Sequence, residues 1–457
     1  MSRPGGAVIA VTSTTTALTR RSTEPIMSIL VYMMLPFLAA ILIGVPIVFA
    51  IGIACASYLI FSGTTIPMTV LVTEMAGGLD SYALLALPAF VMTGELLNRC
   101  GFTDRLIALA NVLVGWIRGG LAHVTTVTGM MLAMISGSAL ADAATLGPVL
   151  IPAMIRERFP AGFAASITAA AACIGAIIPP SVPLVIIGSQ LGMSIGGLFL
   201  AGVIPGLLTG VALMITSWIL CRIGGYGAPQ PLPRLRTLGE SAFRAIPALT
   251  IPAIILGGIL GGVFSPTEAG VIAVVYASVL GGFYYRNLSA RDFGAALLST
   301  ARVTGAAVII VAISLVMGRI LTFEQVPQKL VALMSGVSTD PIVVYLIVVV
   351  LLMVVGCVMD AVANMIILGP LLMPICIQLL DMQPFQYGIF LMYALLIGLL
   401  TPPVGLALFV VAPIARLSAE KISVAILPFI AAMLVVLTLI AFVPSLTMWL
   451  PTAAGYR

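Results

Sequence analysis

Ile177-Ile178-Pro179-Pro180-Ser181-Val182-Pro183 stands inside residues 160–221, a run without a single Asp, Glu, Lys or Arg. A second pair, Thr401-Pro402-Pro403-Val404-Gly405, interrupts another apolar stretch 223 residues further on. Each proline removes a backbone donor and crowds the preceding turn of a helix. In hydrocarbon the freed carbonyls are tolerated only where protein, an ion or water satisfies them. A plain kink is one reading of such a pair. The other is a broken helix, whose carbonyl end suits a small hard cation and whose following amide end suits an anion.

The surroundings decide the medium. Hydrophobic residues make up 61% of 457 positions and charged residues 8%, with a mean hydropathy of +1.24. A water-soluble surface takes about 25% charged residues, so this chain is read as a membrane protein. Residues 27–62, 341–359, 361–380 and 422–456 are also free of charge. At roughly 20 apolar residues per span, there is room for about ten to twelve spans. The net charge of +5 comes from 20 basic residues scattered along the chain. With no basic face, it points to cytoplasmic loops and not to nucleic acid. The six cysteines lie far apart in apolar segments without a CxxC, and read as small hydrophobes.

The chain repeats itself. Leu146-Gly147-Pro148-Val149-Leu150-Ile151-Pro152 returns as Leu368-Gly369-Pro370-Leu371-Leu372-Met373-Pro374, and Gly94-Glu95-Leu96-Leu97 as Gly318-Arg319-Ile320-Leu321. Three matches in one order at offsets of 222, 223 and 224 indicate an internal duplication, a mark of secondary transporters. The expected organisation is a Thr-rich extension or early start over 1–26 and a first repeat over 27–221 with a hairpin near 136–155. A basic Pro- and Gly-rich loop over 222–244 follows, then a second repeat over 245–449 with a hairpin near 358–380, and a tail over 450–457.

Two small-residue segments precede the repeated Gly-Pro motifs: Ser136-Gly137-Ser138-Ala139-Leu140-Ala141-Asp142, and Asp360-Ala361-Val362-Ala363-Asn364. Their size suits hairpin tips of close backbone approach, and their oxygens are hard ligands; close helix packing is the alternative. An intramembrane carboxylate such as Asp360 marks a functional site. Glu95 and Arg319 stand at matching places, so they could pair across the repeats. Arg319 could instead hold a substrate carboxylate through its planar fork, or either could snorkel from a helix end. The expected facing pairs are Asp142 with Asp360, Pro179 with Pro402, and Glu95 with Arg319. His123, the one histidine, reads as a hydrogen-bonded helix-end residue. No Walker, HExxH or GxSxG motif occurs, so no catalytic residue is assigned and an ion gradient is the expected energy source.

Longer motifs resemble the large membrane subunit of the tripartite ATP-independent periplasmic (TRAP) transporters. They are Gly119-Gly120-Leu121-Ala122-His123-Val124, Ile135-Ser136-Gly137-Ser138, Ile177 to Pro183, Ser265-Pro266-Thr267-Glu268-Ala269-Gly270, and Gly398 to Gly405. The resemblance, running from about Met27 to Leu450, implies an all-α polytopic fold of two inverted repeats. It further implies about eleven transmembrane helices with two re-entrant hairpins, moving as an elevator. It also implies sodium symport of an organic acid across the bacterial inner membrane, with a small four-helix membrane subunit and a periplasmic substrate-binding protein as partners. No cofactor is expected, and no metal other than the coupling sodium ions. Where the family often has Ser-Ser-Thr-Ile-Gly-Pro, this chain has Ala171-Ala172-Cys173-Ile174-Gly175-Ala176; where Asn is frequent after Gly405, Ala407 follows Leu406.

Residue chemistry and resemblance together assign sodium to Ser136, Ser138, Asp142, Gly175, Pro179, Asp360, Gly398, Thr401 and Pro402. The substrate is assigned to Ser138, Pro180, Arg319, Asp360 and Asn364. The alternative activity is an intramembrane aspartyl enzyme using Asp142 and Asp360, although the Gly-x-Gly-Asp context is missing. An ion channel is disfavoured, since no selectivity sequence is evident.

Overall fold

A computed structural model describes residues 28–80, 82–233, 235–402 and 404–456. The expectation for 1–26 lies outside the described residues. Among these the chain is helical with no strand, as lipid demands of a chain whose backbone must bond to itself. It is an all-α polytopic membrane protein. The helices start where short polar side chains replace the missing intrahelical partner. Ser138, Ser181, Ser194, Asp340 and Asp360 each accept from an amide of their helix's first turn. Ser265 and Glu268 complete a reciprocal capping box.

Among the described residues, six helices are long and apolar enough to cross a membrane: Ala139–Arg156, Ile195–Gly224, Pro266–Tyr284, Ala290–Phe323, Pro341–Val358 and Ala361–Leu379. Two more spans result if the pairs bent at Ala248 and Ile426 each count as one. The expected number, about eleven, is not reached by single helices. Prolines and glycines cut the remaining apolar runs into pieces of 10–17 residues, such as Ala161–Ala176 and Pro384–Gly398.

Three expected boundaries move. The loop at 222–244 is much shorter, because Ile195–Gly224 ends only at left-handed Gly225 and the next helix begins at Leu235. Arg236 and Glu240, four apart and 2.9 Å from each other, support that helix. The tail at 450–457 begins inside the helix Ser445–Ala453. The segments 136–155 and 358–380 are not hairpins in themselves. Ala139–Arg156 and Ala361–Leu379 run unbroken through Pro148 and Pro152, and through Pro370 and Pro374. Prolines four apart confine their defects to one side, since the donor missing at the second would have bonded the carbonyl of the first. Each helix is instead the second arm of a pair, after Gly120–Ser136 or Pro341–Val358.

The chain divides into two compact units that do not follow the repeat boundaries. One takes residues 28–80 and Val308–Ser338; the other takes 82–307 and Thr339 onward. In the first, Tyr58 is buried and its hydroxyl donates to Glu324 Oε1 at 2.6 Å. The second unit holds both helix pairs and both Pro-Pro breaks. There the packing is reciprocal: Ala139–Arg156 lies on Leu406–Ala415, and Ala361–Leu379 on Val182–Leu191. Gly147 stands against Ile414, and Gly369 against Leu191.

Backbones approach closely between Pro341–Val358 and Pro384–Gly398. A methyl group added at Gly356 would stand 3.0 Å from Leu395 O and 3.1 Å from Gly398 Cα. Gly356→Val should therefore cost about 1–3 kcal/mol through overpacking and lower the melting temperature in detergent. Gly305 has open space around it, so Gly305→Ala should leave the melting temperature unchanged or raise it. Equal behaviour of the two variants would refute the contact.

Candidate functional site

Each helix pair ends in a tip that rests on a Pro-Pro break. In the first, Gly120–Ser136 closes at Gly137, which has a φ of +60°. A methyl group there would also stand 2.9 Å from Val182 N and 3.3 Å from Pro180 O. Only glycine suits both the conformation and the contact. Ser138 caps the next helix, accepting from Ala141 N at 3.5 Å. Asp142, four residues on, is fully buried. Ser136 Oγ donates to its Oδ1 and accepts from Ser138 N at 3.3 Å. Asp142 Oδ2 is buried without a hydrogen-bond partner. Gly175 lies directly beneath it, so any larger residue would overlap that oxygen.

Across the first break, Ser181 Oγ donates to Ala176 O at 2.5 Å and accepts from Leu184 N at 3.4 Å. One hydroxyl thus serves the carbonyl before the prolines and the amide after them. Val182–Leu191 then resumes, with Pro183 in its first turn, where a missing donor does no harm. Pro179 lies between Ala176 and Ser181, and its side chain lines an apolar cavity.

The second tip repeats the design with other chemistry. Met359 is extended, and Asp360 caps Ala361–Leu379 by accepting from Val362 N at 3.0 Å. Asn364 is buried; its Nδ2 donates to Val355 O and Met359 O, each at 3.2 Å. Its Oδ1 is buried without a partner. The Cys357 thiol donates to Thr401 O at 3.1 Å, and its sulfur accepts from Val404 N at 3.3 Å, spanning the break around Pro402. Thr401 Oγ1 donates to Ile397 O at 2.7 Å. Gly398 packs on Gly356, as Gly175 does on Asp142 and Ala133.

These caps correct the expected pairing of Asp142 with Asp360. At the offset of 222 set by the repeated Gly-Pro motif, Ser138 corresponds to Asp360, and both are N-caps. Asp142 then corresponds to Asn364, and each leaves one buried oxygen unpartnered. Glu95 and Arg319 each have an oppositely charged neighbour within their own unit. Glu95 accepts from Ser299 Oγ at 2.7 Å and lies 3.6 Å from Arg99 Nε. Arg319 belongs to the other unit, where its Nε is 3.4 Å from Glu74 Oε1 and its side chain is 61% exposed. His123 is a helix-end residue, with Nε2 2.9 Å from Arg118 O.

Ser136, Ser138, Asp142, Gly175 and Pro180 thus come together at the first tip. Asp360, Asn364, Gly398, Thr401 and Pro402 gather around the second. Cys357, Gly137 and Gly356 were missed. Ser181 carried a readable signal, a serine before Val-Pro at a helix start; the thiol bridge of Cys357 carried none. No Lys, Arg or His occurs in 133–142, 171–184, 353–364 or 395–407. The ionisable oxygens there are those of Asp142 and Asp360 alone, so the side-chain charge of the two tips is wholly acidic.

Residues 33–446 match the family described as Tripartite ATP-independent periplasmic transporter, DctM component. The sialic acid TRAP transporter large permease protein SiaM of Vibrio cholerae is 37% identical over 91% of this chain and 96% of its own length. The isethionate TRAP transporter permease protein DctMQ of Oleidesulfovibrio alaskensis is 36% identical over 90% of this chain, which spans 65% of that longer relative. In fold, the chain is similar to the YdaH transporter of Alcanivorax borkumensis, with a TM-score of 0.56 at 16% identity over 82% of this chain and 86% of the other. The chain belongs to the tripartite ATP-independent periplasmic transporter family, as a DctM-type large permease.

Proposed function

We propose that this permease imports a small organic anion together with sodium, as the large subunit of a tripartite system in the bacterial inner membrane. The observation that carries the reading is the pair of orphaned acceptors, Asp142 Oδ2 and Asn364 Oδ1, each buried at a tip beside a Pro-Pro break. An unpaired buried oxygen is costly, and an alkali cation bound by oxygen ligands removes that cost. Sodium, when bound, would supply the positive charge that an acidic site needs before it accepts an anion. The four segments that form the tips and breaks carry no basic side chain to do so.

The residues have distinct parts in this reading. Ser136 orients the Asp142 carboxylate, and Asn364 is held by two carbonyls so that its oxygen faces away from them. Gly175 and Gly398 leave room for close approach. The starts of Val182–Leu191 and Leu406–Ala415 present amides and a partial positive charge toward an anion. The relatives are named for sialic acid and isethionate, a carboxylate and a sulfonate, so a small organic acid is the substrate class proposed here. Two inverted repeats moving as an elevator, a small four-helix subunit and a periplasmic binding protein complete the proposal. The aspartyl-enzyme alternative is less well supported. Asp142 is committed to Ser136 and Asp360 to its own helix start, at positions that do not correspond.

Two measurements test the proposal. In proteoliposomes holding both membrane subunits, uptake from the loaded binding protein should need an inward sodium gradient and stop when choline replaces sodium. Uptake indifferent to sodium would sink the reading. Sodium should also raise the melting temperature of the purified chain. In Asp142→Asn and in Asn364→Ala, the sodium concentration giving half that rise should increase by about tenfold or more. An unchanged sodium response in both folded variants would exclude these oxygens as ligands.

A further inference from the structure

We propose that the second unit carries a specific site for an anionic phospholipid, with its head group at Arg118 and Arg222 and one acyl chain ending against the first Pro-Pro break. The site follows the seam between Gly120–Ser136 and Ile195–Gly224. These helices run antiparallel in constant register. A methyl group at Gly119 would meet Cys221 Sγ at 2.8 Å, and one at Gly210 would overlap Met130 Sδ. Gly206 lies against Ile178.

One end of the seam is built for a head group. The Arg118 Nε is buried with no hydrogen-bond partner, an expensive state for a charged donor. Arg222 lies one residue from Cys221, and its guanidinium stands 5.2 Å from the Trp218 ring centroid. Among the described residues, neither arginine has a carboxylate at ion-pair distance. Trp116 and Trp218 are partly exposed, as tryptophans at the level of lipid head groups are. The loop after Gly225 docks here through Gly119 N to Gly227 O at 2.8 Å and Gln230 N to Trp116 O at 3.2 Å. Two unpaired guanidinium groups beside interfacial tryptophans suit a phosphodiester.

The other end is built for hydrocarbon. A cavity of about 350 Å³ is lined only by apolar side chains, among them Met130, Met134, Val203, Leu207, Ile178 and Pro179. Leu207 continues an exposed apolar row through Val211, Ile215 and Ile219 down to Trp218 and Arg222. From Arg222 to Leu207 is 15 residues, or about 22 Å of helix at 1.5 Å per residue. Half the thickness of a bilayer with its head groups is about 20 Å. A lipid anchored at the arginines therefore brings its chain end to the level of the cavity. A free phosphate would satisfy the arginines and leave the cavity unexplained, and a zwitterionic lipid would leave the arginine charge uncompensated.

The test is native mass spectrometry of the full chain after delipidation. It is titrated with dipalmitoyl phosphatidylglycerol, phosphatidylcholine of the same chains, dihexanoyl phosphatidylglycerol and glycerol 3-phosphate. The long-chain anionic lipid should bind about tenfold or more tightly than each of the other three. Arg118→Gln with Arg222→Gln should abolish the head-group preference. Val203→Phe, which fills the cavity, should weaken the long-chain lipid and leave dihexanoyl phosphatidylglycerol unchanged. Equal binding of the two head groups, or glycerol 3-phosphate binding as tightly as the lipid, would overturn the proposal on the unmodified chain alone.

Discussion

Backbone groups released inside hydrocarbon must find partners within the protein, and the second unit is organised around that requirement. Each Pro-Pro pair frees backbone groups within an apolar segment. Each is then crossed by a side chain that both donates and accepts: Ser181 in the first half, Cys357 in the second. A hydroxyl and a thiol are among the few side chains able to do both in so little space. The glycine-rich tips follow from the same need. A tip can shield a break only if its own backbone comes within contact distance, which Gly137 and Gly356 allow.

Much of this was legible in the sequence because the penalties that shape it are large. Nothing soluble tolerates 61% hydrophobic residues with 8% charge, so the class followed from composition. The tips and breaks followed from small residues and prolines inside apolar runs. What escaped was register at the scale of one helical turn. Matching Asp142 to Asp360 paired like with like by chemistry, whereas the fold pairs by place in the helix. The residues that cap are Ser138 and Asp360, and only the cap position reveals that Asp142 corresponds to an amide. Glu95 and Arg319, matched in the same way, each have an opposite charge in their own unit, Arg99 and Glu74.

The loop at 222–244 shows the opposite error, in which local composition was weighted too heavily. Pro229, Pro231 and Pro233 do break the chain. The arginines beyond them do not, because Arg236 and Glu240 stabilise a helix surface as readily as a loop. Charge density alone therefore did not locate the helix boundary.

The two halves solve one backbone problem with unequal means. Pro384–Gly398 carries tyrosines that bond outward: Tyr387 to Gly369 O at 2.5 Å, and Tyr393 with Thr209 at 2.7 Å. The matching helix Ala161–Cys173 has alanines at the equivalent positions 164 and 170. Among the described residues its hydroxyls, Ser166 and Thr168, bond elsewhere and not to Ala139–Arg156. The second arm of the second tip is fixed to its neighbour by a buried hydroxyl, and that of the first is not. The half without that bond carries the buried carboxylate, while the half with it carries the neutral amide. The buried carboxylate and the directional tether thus fall in different halves.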